Sequence, residues 1–267
     1  HTANPRLHAD DLAYSINHAG DCAVLVDLDC LALAEDIAPA CVNVRQWIVL
    51  CDASEMPRTS LPAPLCYEEL IAAGDESYNW PGLDERRAST LCFTSATTGR
   101  PKGVLYSHRG TVLNVMSVVG RNGWDLGRGD CVLSTAAFFH CNGWGMPYMA
   151  PIVGAKLVLP GRVVSPMAML ALIKAERITH SGAVPTVLLD LLAEVEAGAG
   201  ELGTLRLLWT GATAPSAAML ERLQALGPTV RHAFGMTETT QVLTVSTPDP
   251  NGSAEEQRAE QLCQGQP

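Results

Sequence analysis

The residues with the clearest chemical potential in this sequence lie between Phe93 and Val104, which reads Phe-Thr-Ser-Ala-Thr-Thr-Gly-Arg-Pro-Lys-Gly-Val. Hydroxyls at Thr94, Ser95, Thr97 and Thr98, the N–H groups of a small-residue turn and the ammonium of Lys102 could together surround a polyphosphate. Gly99 and Gly103 let the backbone bend and approach a ligand closely. The spacing excludes a Walker loop, which needs Gly-Lys-Ser/Thr in succession, because Pro101 precedes Lys102 and Gly103 follows it. The apolar run Thr90 to Phe93 just before it predicts a strand that feeds a phosphate-handling loop.

Two further stretches carry candidate chemistry. Arg231-His-Ala-Phe-Gly-Met-Thr-Glu238 follows a predicted strand, and a carboxylate there, beside a threonine hydroxyl and a glycine turn, suits a Mg²⁺ bridging phosphate oxygens. Taken alone, a Thr-Glu pair is more often the first turn of a helix. Phe138-Phe-His-Cys-Asn-Gly-Trp-Gly-Met-Pro-Tyr148 gathers aromatics, a histidine and glycines that could line a mixed apolar and polar cavity, or equally form plain core.

Composition narrows the classes. The 267 residues, 47% apolar and 17% charged, are enough for one large or two small globular domains. Eighteen basic against twenty-eight acidic residues give a net charge of −10, which argues against a general nucleic-acid surface. Cysteines occur singly, at 22, 30, 41, 51, 66, 92, 131, 141 and 263, with neither a Cys-x-x-Cys pair nor clustered histidines. That excludes a zinc pattern or a small disulfide scaffold and reads as reduced thiols in a cytoplasmic protein. No apolar run reaches the ~18 residues of a membrane span, and no signal segment opens the chain, so a soluble protein is expected. His8, His18, His108 and His180 read as ordinary helix or surface residues.

The elements that must position these groups alternate. Helices are predicted at 9–19, ended by Gly20, at 31–38, 67–73, 108–119, 166–176, 185–197 and 214–226. Strands are predicted at 22–27, 46–51, 104–107, 131–134, 156–159, 178–183, 205–209 and 230–233. Cys22 to Asp27 reads as a buried strand, and Val112, Val115, Met116 and Val119 as one side of their helix. The expected fold is α/β, with two mainly parallel sheets flanked by helices. Residues 79–89 are polar and turn-rich, a linker ahead of the phosphate loop, and the tail from Pro248 to Gln261 reads as mobile or loop-forming.

Thr94-Ser95-Ala96-Thr97-Thr98-Gly99-Arg100-Pro101-Lys102-Gly103 closely resembles the Thr-Ser-Gly-Thr-Thr-Gly-x-Pro-Lys-Gly signature of the acyl-adenylate-forming, or AMP-binding, enzymes. Ala96 departs from the family's glycine, and a methyl there would strain a left-handed backbone. Phe234-Gly-Met-Thr-Glu238 resembles the family's Tyr-Gly-x-Thr-Glu, and Trp209-Thr-Gly-Ala-Thr-Ala-Pro215 its Gly-Gly-Ala-x-x-Pro turn, with Thr210 in place of one glycine. Phe139-His-Cys-Asn-Gly-Trp-Gly145 is similar to the substrate-side motif of medium- and long-chain fatty acyl-CoA synthetases. Asn4-Pro-Arg-Leu7 resembles an early family segment, so the likeness runs nearly the full length.

The resemblance implies roles. Thr94, Ser95, Ala96, Thr97, Thr98, Gly99 and Lys102 would hold the phosphates. Gly211 and Ala212 would line the nucleotide and acyl pocket, Phe234 would stack on adenine, with Gly235 and Met236 beside it, and Thr237 would hold phosphate. Thr94 and Glu238 would bind Mg²⁺, Lys102, His140 and Glu238 would serve catalysis, and His140 and Trp144 would face the acyl substrate. It implies an ATP-dependent acid–thiol ligase that makes an acyl-adenylate and transfers the acyl group to coenzyme A. A fatty acid is the implied substrate; aryl, amino or small acids, or a nucleotide-binding module without turnover, remain as alternatives. The family's Thr-Gly-Asp ribose motif, its following arginine and its C-terminal lysine motif are absent. The sequence is therefore expected to be part of the N-terminal domain, without its start, its ribose-binding part and the C-terminal domain, and inactive by itself; a homodimer is left open.

Overall fold

A computed structural model describes residues 1–94, 99–161 and 165–265. Ser95, Ala96, Thr97 and Thr98 lie outside the described residues. The chain divides into two units, His1–Leu105 and Tyr106–Pro267.

In the first unit, helix α1 (Ala9–Ala19) starts where His8 Nδ1 accepts from the Asp10 N–H at 3.4 Å, with Asp10 and Asp11 favouring the positive end of its dipole. It stops at Gly20, whose φ of 72° is the left-handed cap that glycine adopts without strain. Leu12, Ala13 and Ile16 bury its inner face against α2 (Leu31–Ile37) and the strands β1 (Ala23–Asp27) and β2 (Gln46–Leu50). Strands β1, β2 and β3 (Leu65–Cys66) form a parallel sheet in that order. Trp47 and Val49 point into the core, but Leu25 is 54% exposed. The expectation of a fully buried first strand is thus corrected: one face is covered and the other faces solvent.

Helix α3 (Tyr67–Ala72) follows, and no helix or strand occupies residues 73–87. Strand β4 (Ala88–Phe93) then pairs with β5 (Gly103–Ser107) around the phosphate loop, as the two apolar runs predict. The stretch expected as a linker is therefore exposed and irregular up to residue 87. The division into units falls later, within β5.

The second unit is built on a six-stranded sheet of order β11-β10-β9-β8-β6-β7 among the described residues. Its strands are β6 (Cys131–Ser134), β7 (Lys156–Val158), β8 (His180–Gly182), β9 (Leu207–Thr210), β10 (Thr229–Phe234) and β11 (Thr244–Val245). All pairs are parallel except β10 with β11. Side chains alternate between two cores, as period-two geometry requires. Leu133 and Leu208 pack on one side with helices α7 (Pro166–Glu176), α8 (Pro185–Glu196) and α9 (Ala217–Ala225). Val132, Leu207 and Trp209 pack on the other with α4 (His108–Val118) and α6 (Met146–Val153). Leu188 and Leu191 of α8 are fully buried, each worth about 1.5–3 kcal/mol of hydrophobic transfer.

Three sequence expectations need correction here. The inner face of α4 is Thr111, Val115 and Val118, whereas Val112 and Met116 are exposed. His180 is neither helical nor at the surface: it is buried on β8, its Nδ1 2.7 Å from Thr179 Oγ1. The polar tail contains helix α10 (Ala254–Leu262), started by a reciprocal cap. Ser253 Oγ accepts from the Glu256 N–H at 3.2 Å while Glu256 Oε2 accepts from the Ser253 N–H at 2.7 Å.

Candidate functional site

One group of candidate residues lies in the first unit, at the two ends of the 94–102 segment. The Thr94 N–H donates to Lys102 O at 2.9 Å and the Lys102 N–H donates to Thr94 Oγ1 at 3.4 Å. A Cβ on Gly103 would lie 3.2 Å from Leu91 Cδ1 and 3.3 Å from Phe93 Cζ, so β5 runs close over β4 at that point. Gly99, with φ of 124°, holds a backbone conformation that other residues rarely take. Lys102 is exposed, and its ammonium makes no hydrogen bond or ion pair among the described residues.

A separate group of candidate residues lies in the other unit, at the C-terminal ends of parallel strands. Between β6 and β8 the strand order reverses direction, and such a switch point opens a crevice beyond the strand ends. Thr135 Oγ1 donates to Gly182 O across that point, tying the two strand ends together. His140 and Trp144 follow β6, Gly211 and Ala212 follow β9, and Phe234 closes β10 ahead of Gly235, Met236, Thr237 and Glu238. All these predicted residues therefore lie at or just beyond the strand ends on one side of one sheet.

Local packing explains the residue types. A Cβ on Gly211 would sit 2.8 Å from Ala233 O, and one on Gly235 only 1.6 Å from Gln241 O, so both positions require glycine. Ala212 holds φ of 69°, a left-handed conformation in a non-glycine residue. Thr239 Oγ1 accepts from the Met236 N–H at 2.9 Å and fixes the turn that carries Thr237 and Glu238. Phe234 is half-buried, while Glu238 is exposed and its carboxylate makes no hydrogen bond or ion pair among the described residues.

The His140 to Gly145 stretch has an unusual backbone. In α5 (Cys141–Trp144) and the next residue, φ is 40° at Cys141, 46° at Asn142, 67° at Gly143, 53° at Trp144 and 74° at Gly145. This is a left-handed turn, which for non-glycine residues costs about 1–2 kcal/mol each and persists where packing over-determines it. A Cβ on Gly143 would lie 2.6 Å from Phe138 Cδ1. His140 is exposed, its ring 4.7 Å from that of Phe139. Trp144 is half-buried and packs at the edge of the core formed by Val132, Met146 and Trp209.

Two residues that sequence reasoning missed hold this region together. The Tyr106 hydroxyl donates to Thr237 O at 2.6 Å, and the Cys141 thiol donates to Thr237 Oγ1 at 3.8 Å. Tyr106 reads in sequence as one more strand residue, and nothing in its neighbours marks it. Cys141 lies inside the Phe139–Gly145 motif, but its spacing does not show that it reaches Thr237.

The buried titratable groups lie elsewhere. Burial pushes the His180, His232 and Arg231 pKa values down, the last against the opposing pull of Asp125. At the opposite end of the sheet Asp130 gathers the Arg206 guanidinium and Thr179 Oγ1, and His180 Nδ1 lies 3.9 Å away. That cluster ties the strand starts together and is structural.

A hard divalent cation fits Glu238, whose carboxylate is exposed and, among the described residues, not engaged by another side chain. No group of three His, Cys, Asp or Glu side chains with metal-binding geometry occurs among the described residues. Mg²⁺ held by one or two protein oxygens and substrate phosphates needs no such group.

Residues 1–267 match the AMP-binding enzyme family over their whole length. The chain belongs to that family. It is 39% identical over 249 residues to a medium-chain-fatty-acid–CoA ligase of Ectopseudomonas oleovorans, covering 93% of this chain and 46% of the relative. It is 38% identical over 249 residues to a 3-methylmercaptopropionyl-CoA ligase of Ruegeria pomeroyi, with the same coverage. The fold matches that of the anthranilate CoA ligase AuaEII, in complex with anthranoyl-AMP, with a TM-score of 0.82 at 22% identity over 92% of this chain and 46% of that one. The chain thus spans about half the length of the relatives it matches. Membership of the AMP-binding enzyme family agrees with the family resemblance and the α/β architecture read from the sequence. Among the described residues, no helix of this family member is long and apolar enough to cross a membrane.

Proposed function

We propose that the full-length protein is an ATP-dependent carboxylic acid–CoA ligase of the fatty-acid-activating kind. The observation that carries this reading is the contact between Cys141 and Thr237, which joins the acyl-side turn to the phosphate-side turn. A carboxylate seated beside His140 would then be near a phosphate seated at Thr237.

In this reading a carboxylate oxygen attacks the α-phosphorus of ATP, the bond to the β-phosphate breaks and pyrophosphate leaves. The thiol of coenzyme A then attacks the acyl carbonyl, a thioester forms and AMP departs. No side-chain nucleophile is required, because rate comes from holding the reactants together and from neutralising developing charge. Lys102 supplies a cation to the phosphates, and the hydroxyls and N–H groups of residues 94–99 supply donors. Mg²⁺, when bound, would draw charge from the phosphate oxygens, and Glu238 with Thr94 would be its protein ligands. Phe234 offers a ring face to adenine, Gly211 and Ala212 offer backbone, and Gly235 and Met236 continue that wall. The 267 residues act as part of the N-terminal domain, and the remaining ribose contacts and C-terminal domain belong to the rest of the protein.

A second reading, a ligase for small sulfur-containing acids, is favoured by the Ruegeria relative, whose identity is nearly the same. ATP–pyrophosphate exchange by the full-length protein, run with acids from acetate to long-chain fatty acids plus 3-methylmercaptopropionate, benzoate and amino acids, separates the two. Exchange that peaks with unbranched aliphatic acids is expected. A peak with the thioether acid moves the assignment to the second reading, and ATP binding without exchange for any acid overturns both in favour of a module without turnover.

A further inference from the structure

The two arms that flank residues 95–98 are held by one face of α1. Arg100, two residues before Lys102, places its guanidinium carbon 4.5 Å from the centroid of the Tyr14 ring. Tyr14 stacks on His18, one helical turn on, with ring centroids 5.4 Å apart and planes inclined by 21°. His18 in turn meets Phe93 edge-on at 6.1 Å. Phe93 ends the strand that leads into the loop, and Arg100 lies on the arm that leaves it. Two side chains spaced four apart on one helix therefore hold both arms, and the arms are joined to each other by the paired Thr94 and Lys102 backbones.

We propose that Tyr14 is a positioning residue for the phosphate loop, acting through Arg100 to fix the backbone that carries Lys102. A cation over an aromatic face is attracted by the ring quadrupole, and at a site as exposed as Arg100 that attraction changes an equilibrium by about two- to fivefold. Phenylalanine keeps the ring face, leucine removes it, and alanine at position 100 removes the cation without disturbing buried packing. This inference rests on the nucleotide reading of the loop only for its effect on ATP.

The test uses the full-length protein with Tyr14→Phe, Tyr14→Leu, Arg100→Ala and the Tyr14→Leu/Arg100→Ala double variant. Tryptic cleavage after Lys102, followed by mass spectrometry, reports opening of the loop whether or not ATP binds; the Arg100–Pro101 bond resists trypsin. Calorimetric titration with ATP reports the consequence for binding. Tyr14→Leu and Arg100→Ala are each expected to speed cleavage and to weaken ATP binding about two- to fivefold. Tyr14→Phe should match the parent, and the double variant should be no worse than either single one. Additive effects, or a leucine effect that Arg100→Ala does not reproduce, overturn the proposal and leave Tyr14 as ordinary packing. If the parent binds no ATP, the nucleotide reading fails and the cleavage rates alone decide whether Tyr14 holds the loop.

Discussion

Gly145 and Gln241 approach so closely that a Cβ on Gly145 would lie 2.0 Å from Gln241 Oε1. Gly145 ends the left-handed turn that carries Trp144, and Gln241 is buried just beyond the Thr237–Glu238 turn. The 140–145 and 235–241 loops are thus packed against each other at a second point besides Cys141 and Thr237.

Replacing Gly145 with alanine should therefore cost more than a methyl group normally does. Both the clash and the φ of 74° oppose it, and a loss of roughly 1–3 kcal/mol is expected. Chemical denaturation measures the loss, and Gly145→Ala should also lower ATP–pyrophosphate exchange. An unchanged midpoint would mean that the turn relaxes freely.

Trp144→Ala should shift the preferred acid rather than abolish turnover. Removing a half-buried indole enlarges the acyl side, and each methylene is worth roughly 1–3 kcal/mol of discrimination. The ratio of exchange rates for a long against a medium chain should rise about tenfold or more. An unchanged ratio would remove Trp144 from the acyl site.

Glu238→Gln should leave the fold intact, because that carboxylate makes no hydrogen bond or ion pair among the described residues. Exchange should fall by about 10²–10³, as for loss of one transition-state electrostatic contact, and chelation should silence the parent. Equal thermal midpoints for parent and variant, with sharply different Mg²⁺ dependence, is the expected pattern.

Stability should decline on acidification, and two buried histidines set the direction. The folded pKa values of His180 and His232 lie below the ordinary 6.5, chiefly because burial disfavours the imidazolium. The unfolded chain then binds more protons, so their stabilising effect is complete above pH 6.5 and is lost as the pH falls through the folded values. Each contributes a slope of at most about 1.4 kcal/mol per pH unit. Denaturation between pH 8 and 5 should show it, and His180→Gln should flatten the curve; a flat parent curve would contradict the assignment.

Much of this architecture was legible because local and global cues agree. Pro166 to Glu176 is bounded in sequence as in structure, since Ser165 caps it and Pro166 suits the first turn. The chemical residues were legible as motifs at strand ends, where glycine is required by close backbone approach, as at Gly211 and Gly235. Periodicity misled at α4, where Val112 and Met116 are apolar yet exposed, while polar Thr111 shares the buried face with Val115 and Val118. Helix α10 lacks any buried residue, so apolar spacing could not reveal it, although Ser253-x-x-Glu256 was the cue. Helix α6 escaped notice because Met146 to Tyr148 was read only as cavity lining, although Pro147 near its start and Gly154 at its end mark it. The left-handed turn was not legible, because Cys141 and Trp144 carry no sequence mark of positive φ, which only tertiary packing imposes.

Trp124 and Trp209 stack with ring centroids 4.4 Å apart and planes only 14° out of parallel, beside Gly182 at the switch point. Two indoles that close share their excited states, so they act as one optical unit with a paired near-ultraviolet circular dichroism band. Trp80, 86% exposed in the other unit, emits instead as a solvated indole. The stacked pair therefore offers a dichroic reading of packing beneath the strand ends, while the red edge of the emission, set by Trp80 rather than by buried Trp47, reads the irregular segment of the first unit.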